Sequence, residues 1–423
     1  MFLLKRCVCI LLSIVLVTLS ACGAPIASLA PKVIDDGIAH LTLWQGVNPP
    51  PNRAVLQKLV DKFNQQHPKI QVESLYVGQS DQQLPKILAA AIGDAAPDLL
   101  WYGPMLTGQL VDLGAIRPIE GFWQKSAVAK DIDPALLEAM RYQDHLWSVP
   151  FGTNNMGIFY RPDLFKTAGI TELPKTWPEL RQVAKKLTTK DQHGIVLPLG
   201  KGEWTVFSWL PFMWSGGGSL DGSSVKLNNS GSIAALQFWR SLLDDGSAML
   251  STPERGYELD KFLAGKVAMQ VTGPWTLGQL GSTKSSYGVM PIPAGVESHT
   301  VLGGEHLFMM KTTPDRSQAA WEFMEYALSP EFQTEWALGT GYLPVNLKAR
   351  QSSAYQNYVS KTPGLQVFLD QAAVGKSRPI STGYPEMSEL LGRSIEAVLM
   401  GKETPSQALA KAQQRWELAV VDR

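Results

Sequence analysis

Residues 40–76 read HLTLWQGVNPPPNRAVLQKLVDKFNQQHPKIQVESLY, and their patterning sets the fold class. His40-Leu41-Thr42-Leu43-Trp44 is a short strand, ended by Pro49-Pro50-Pro51. Val55, Leu56, Leu59, Val60 and Phe63 follow the i, i+3, i+4 spacing, which predicts a helix from Arg53 to Gln66. His67-Pro68 stops it, because the residue before a proline is pushed away from helical backbone. Ile70 to Tyr76 alternates as a second strand. A second helix is expected over residues 80–93, with Gly93 as its cap, and a third strand over 98–102. This β-α-β-α-β order predicts an α/β lobe with a mainly parallel sheet. Ligands of such sheets lie beyond the carboxyl ends of the strands. Trp44-Gln45, Tyr76 and Trp101-Tyr102 fall at those ends.

The rhythm continues to the end of the chain. Strands are expected at 156–160, 267–272 and 301–310, and helices at 177–187, 203–214, 231–244, 316–328 and 405–419, with an amphipathic stretch over 386–399. The chain has 423 residues, 45% of them apolar. That length exceeds what a single core holds, so two lobes are expected. The 38 basic residues match the 38 acidic ones, without the basic excess of a nucleic-acid binder.

The first 22 residues lie outside this folded part. Lys5 and Arg6 precede an apolar run from Cys7 to Leu19. The run is shorter than the roughly 20 residues of a membrane span and fits a secretory signal. Leu19-Ser20-Ala21-Cys22-Gly23 resembles the lipobox of bacterial lipoproteins, which implies that Cys22 carries the lipid and anchors the exported protein to the membrane. Residues 23–39 read as a tether. The three cysteines are Cys7, Cys9 and Cys22, so the chain beyond the lipobox makes no internal disulfide.

Enzyme signatures are sparse. The six histidines show no H-E-x-x-H spacing, and no G-x-S-x-G elbow or phosphate-binding glycine loop is present. A glycosidase would need two opposed carboxylates, for which Glu203, Glu305 and Glu386 are candidates by loop position. No cofactor or metal is expected.

Several stretches point one way. They are Ala96-Pro97-Asp98-Leu99-Leu100-Trp101-Tyr102, Phe159-Tyr160-Arg161-Pro162-Asp163-Leu164-Phe165, Pro174-Lys175-Thr176-Trp177-Pro178-Glu179-Leu180, Gly273-Pro274-Trp275 and Gly339-Thr340-Gly341-Tyr342-Leu343-Pro344. Taken in this order they resemble the family-1 extracellular solute-binding proteins, the group of maltose-binding and glycerol-3-phosphate-binding proteins. The resemblance implies a periplasmic-binding-protein fold, an α/β architecture of two lobes joined by crossing hinge strands. It places lobe I at 40–153 and 306–358, and lobe II at 154–305 and 359–423, with hinges near 152–154, 304–306 and 356–360. The solute would lie between the lobes, and the closed form would dock on the permease subunits of an ABC importer. A monomer is expected.

Sugars present apolar faces and hydroxyl edges, so their sites combine aromatic platforms with a few planar polar groups. The resemblance implies stacking by Tyr102 and Trp275 and polar contact by Asn154 and Gln45. Tyr76, Trp204, Gly304, Tyr342 and Tyr384 match further contact positions. One or two of Trp204, Trp209 and Trp214 are expected in the cleft. Trp239, Trp321 and Trp336 read as packing, and Asp98 as structural. The last-lobe loop, Pro379 to Pro385, contains no arginine; Arg378 precedes it. An uncharged di- or oligosaccharide or a glycosyl-polyol is therefore expected rather than a phosphorylated solute. The alternatives are an exported glycoside hydrolase and a binding protein that feeds a sensor kinase.

Overall fold

Leu41 and Leu43 sit on one face of the first strand and are almost wholly buried, as alternation demands. They belong to β1 (Ala39–Gln45), which is followed by α1 (Pro50–Gln66), β2 (Ile70–Tyr76), α2 (Ser80–Ile92) and β3 (Leu99–Tyr102). Helix α1 buries Leu56, Leu59, Val60 and Phe63 against the sheet. Each such burial contributes about 1.5–3 kcal/mol. The computed structural model describes residues 36–220, 225–252, 258–281 and 286–421, and residues 39–423 belong to one compact unit. The signal and Cys22 lie outside the described residues, among which no helix is long and apolar enough to cross a membrane.

The chain continues through β4 (Ser148–Pro150), β5 (Asn154–Asn155), β6 (Gly157–Tyr160), α3 (Trp177–Leu187), β7 (His193–Leu197), α4 (Glu203–Ser215), α5 (Ser230–Asp244), β8 (Ala248–Leu250), β9 (Val267–Thr272), β10 (Gly288–Met290), β11 (Thr300–Gly303) and β12 (His306–Met309). It ends with α6 (Pro314–Leu328), α7 (Pro330–Thr340), α8 (Ser353–Lys361), β13 (Gly375–Ser377), α9 (Tyr384–Leu399) and α10 (Pro405–Val421). Two five-stranded sheets form, ordered β2-β1-β3-β12-β4 and β8-β7-β9-β6-β10. β1 runs parallel to β2 and β3, while β12 is antiparallel to both β3 and β4. A third sheet, β13-β11-β5, lies where the chain passes from one large sheet to the other. The result is the expected two-lobed α/β fold.

Asp98 is structural. Its carboxylate accepts from Arg316 Nε at 2.8 Å and Nη2 at 2.7 Å, and from the Thr42 amide at 2.8 Å. It thereby ties α6 to the root of β1 and β3.

Three details depart from the sequence reading. Pro50 and Pro51 start α1 instead of only ending β1, since a proline in the first turn loses no hydrogen bond. The strand expected over 301–310 is broken in two at Gly304, whose φ is +128° and whose missing Cβ lets the Gly152 carbonyl approach. Residues 356–360, expected as a crossing strand, lie inside α8. The Ser352 side chain caps that helix and Tyr355 buries its inner face. A lobe boundary at 358 would cut this helix, and the strand beside β11 is β13, residues 375–377.

Candidate functional site

A cavity opens at the carboxyl ends of β1 and β3, between the two large sheets. One wall comes from Gly46, Asn48, Ser80, Gln83, Trp101, Tyr102, Gly103 and Met105. The opposite wall comes from Asn154, Glu203, Trp204, Phe207, Trp275 and Arg378, and Gly304, Glu305 and Tyr342 complete the lining. Its volume is ≈ 60 Å³, room for a few water molecules.

Four rings crowd the cavity. Trp275 packs edge-on against Trp204 at 6.0 Å between centroids, tilted against Tyr342 at 6.3 Å and against Phe207 at 6.4 Å. On the other wall the Tyr102 hydroxyl donates to the Ser80 carbonyl at 3.2 Å. The Tyr342 hydroxyl donates to Glu305 Oε2 at 3.3 Å. Asn154 Oδ1 and Trp101 Nε1, buried polar atoms of lining residues, have no hydrogen-bond partner among the described residues. Leaving a buried donor or acceptor unmet costs about 1–3 kcal/mol.

The charges are concentrated in one cluster. Arg378 Nη1 donates to Glu203 Oε1 at 2.6 Å, with the side chains only 9% and 11% exposed. Glu203 also accepts from the Tyr384 hydroxyl at 3.0 and 3.1 Å, and from the Ser388 hydroxyl. The guanidinium lies over the Phe207 ring, 4.6 Å from its centroid. Burial works against the charge on Arg378, but the Glu203 carboxylate outweighs it and holds the pKa above the usual value. Burial, helped by Glu203, pushes the Tyr102 and Tyr384 phenols up, so both remain neutral donors. His306, on β12 beside Tyr102, hydrogen-bonds the Ser148 hydroxyl at 2.8 Å. Burial, then the nearby Arg378, lowers its pKa to about 3, and the ring is uncharged. Among the described residues no group of three or more His, Cys, Asp or Glu is placed to hold a metal.

The two walls already touch at the rim. Asp81, in the first turn of α2, accepts from the Glu203 amide at the start of α4 at 2.7 Å. Gly202 permits this approach, because a Cβ there would collide with the Asp81 carboxylate.

A family model for bacterial extracellular solute-binding proteins matches residues 58–363. The chain belongs to that family. As an extracellular solute-binding protein it acts after export. It is 25% identical, over 386 residues, to the sn-glycerol-3-phosphate-binding periplasmic protein UgpB of Pectobacterium atrosepticum, covering 85% of this chain and 86% of that one. Its fold matches the cyclic α-maltosyl-1,6-maltose binding protein of Arthrobacter globiformis at a TM-score of 0.73 and 26% identity, covering 89% of this chain and 98% of that one. It also matches UgpB of Mycobacterium tuberculosis in complex with glycerophosphocholine at a TM-score of 0.81 and 19% identity, over 91% and 99% of the two chains.

Of the residues singled out in the sequence of this solute-binding protein, Tyr102, Asn154, Trp204, Trp275, Gly304 and Tyr342 meet at the cavity. Trp209 and Trp214 are buried in the core instead. Gln45, Tyr76 and Tyr384 do not reach the lining. The Gln45 side chain turns back to accept from the Val47 amide at 2.8 Å. Tyr76 is 40% exposed and lies under Arg53, 4.1 Å from the ring centroid. Tyr384 stands behind Glu203, in the wall of a neighbouring groove. The inference from Arg378 also needs correction. Although it precedes the last-lobe loop, its side chain reaches the cavity, because β13 ends at Ser377 and releases the next residue into the cleft. Phe207 was missed, and Glu203 and Glu305, both in the lining, had been named only as possible glycosidase carboxylates. The available signal was Glu203-Trp204 opening an apolar helix, where its first turn faces the crevice.

Proposed function

We propose that this protein is the solute-binding subunit of an ABC importer and captures a neutral sugar or glycosyl-polyol. The observation that carries this reading is the ring cluster of Trp204, Phe207, Trp275 and Tyr342 in a cavity whose lining also includes Asn154 and Trp101, with Asn154 Oδ1 and Trp101 Nε1 unpaired among the described residues. Rings suit the C–H faces of a sugar, and the two polar atoms suit its hydroxyls. Arg378, the one cation among the described lining residues, is already matched by a carboxylate.

In this reading the lobes part at the β13-β11-β5 sheet, with lobe I formed by residues 40–153 and 306 to the end of α8, and lobe II by the rest. Solute binding favours the closed form in proportion to its differential affinity for it. The Asp81 contact with α4 then forms at the rim. No bond is broken: Glu203 is held by three donors and cannot act as a free general acid. Cys22 would carry the lipid that keeps the exported chain at the membrane, as a monomer facing its permease.

A thermal-shift panel of neutral disaccharides, glycosyl-polyols, monosaccharides and phosphorylated polyols tests this. A ligand at about 1,000 times its dissociation constant adds roughly 4 kcal/mol to stability. A rise of several degrees with a neutral class supports the reading. A rise confined to phosphorylated compounds sinks the neutral solute, and turnover of a glycoside would favour the hydrolase.

A further inference from the structure

Among the described residues lining the cavity, Arg378 is the only Lys or Arg. Two carboxylates, Glu203 and Glu305, share that lining. An arginine set in such a cleft with its fork open would be a ready seat for a phosphate or carboxylate. Here one arm of the fork, Nη1, is already engaged. Glu203 holds Nη1 at 2.6 Å, and the pair is nearly cut off from solvent. Glu203 is itself fixed from behind by Tyr384 and by Ser388, both on α9, so it cannot swing away cheaply when an anion arrives. Phe207 covers the guanidinium face. An anion entering the cleft would meet one matched cation and a second carboxylate, Glu305.

We propose that Glu203 is the residue that sets the charge preference of the cleft: by holding Arg378 it closes the site to phosphorylated solutes and leaves it open to neutral ones. This rests on the neutral-solute reading above and adds a residue to it. Arg378 is then a latent anion seat, and one substitution exposes it. Glu203→Gln keeps the shape of the side chain and its neighbours on α9 but removes the charge.

Calorimetric titration of the wild type, Glu203→Gln and the Glu203→Gln/Arg378→Gln double variant with inorganic phosphate, glycerol and glycerol 3-phosphate tests this. Glu203→Gln is expected to bind phosphate and glycerol 3-phosphate at least tenfold more tightly than the wild type, with no comparable gain for glycerol. The double variant is expected to lose that gain. A folded Glu203→Gln with no gain overturns the proposal, and so does a gain that survives in the double variant. If Glu203→Gln does not fold, Glu203→Asp keeps the charge but draws it back by one methylene. A gain of at least threefold is then expected, and none overturns the proposal. The wild-type arm speaks to the other reading: tight binding of glycerol 3-phosphate by the wild type removes the neutral solute, whatever the variants do.

Discussion

The two walls of the cleft are built differently. The first comes from one local unit: β3 delivers Trp101 and Tyr102, and the following turn delivers Gly103 and Met105. Its polar groups are largely committed to its own backbone, Tyr102 to the Ser80 carbonyl and Gln83 to the Trp101 carbonyl. The second wall is gathered from distant segments, with Glu203, Trp204 and Phe207 from α4, Trp275 after β9 and Arg378 after β13. It carries the ion pair and most of the rings. In the proposed reading the first wall therefore acts as a floor, and the second holds the groups that discriminate between solutes.

Substitutions should separate these roles. The largest effect is expected beneath the first wall. Asp98→Ala breaks the carboxylate that holds Arg316 and the Thr42 amide, and should cost about 3 kcal/mol of stability in denaturant unfolding. A loss below about 1 kcal/mol would show that the floor does not depend on this tie. On the second wall Trp275→Ala should weaken solute binding at least tenfold, about 1.4 kcal/mol, by calorimetry. Unchanged affinity would take Trp275 out of the site.

His306 joins the floor to its antiparallel neighbours and is neutral in the fold. Its folded pKa of about 3 lies below the roughly 6.5 of an unfolded histidine, so the unfolded chain binds the extra proton. The stability it contributes is complete above about pH 6.5 and is lost as pH falls toward 3, by about 1.4 kcal/mol per pH unit at the steepest. His306→Gln should flatten that part of the pH–stability curve, and an unaltered slope would assign the acid loss to other groups. The smallest effect is expected for Tyr102→Phe, where the hydroxyl already serves Ser80. Affinity should fall less than threefold, and a tenfold fall would mean that the floor discriminates too.

The same contrast explains how much was legible in the sequence. The floor is a β-α-β-α-β unit whose periodicity is local, so α1, β2, α2 and β3 could be read almost to their ends. Trp275 and Tyr342 were legible through the motifs around them. Glu203 and Arg378 were not read as partners, because 175 residues separate them and only the fold brings them within 2.6 Å. Gln45 and Tyr76 occupy the right strand ends, but nothing in the sequence says that one side chain folds back on its own turn and the other goes to the surface. The misplaced crossing at 356–360 has a similar origin. Residues 356–360 extend a helix fixed by a serine cap and one buried tyrosine, and the true neighbour of β11 is a three-residue strand with no pattern to detect.

The most direct test of the central claim is calorimetric titration of the wild-type protein with a matched pair, a neutral glycosyl-polyol that raises its melting temperature and the phosphate ester of the same compound. The cleft described here should bind the neutral member at least tenfold more tightly than the ester. Equal or tighter binding of the ester would contradict it.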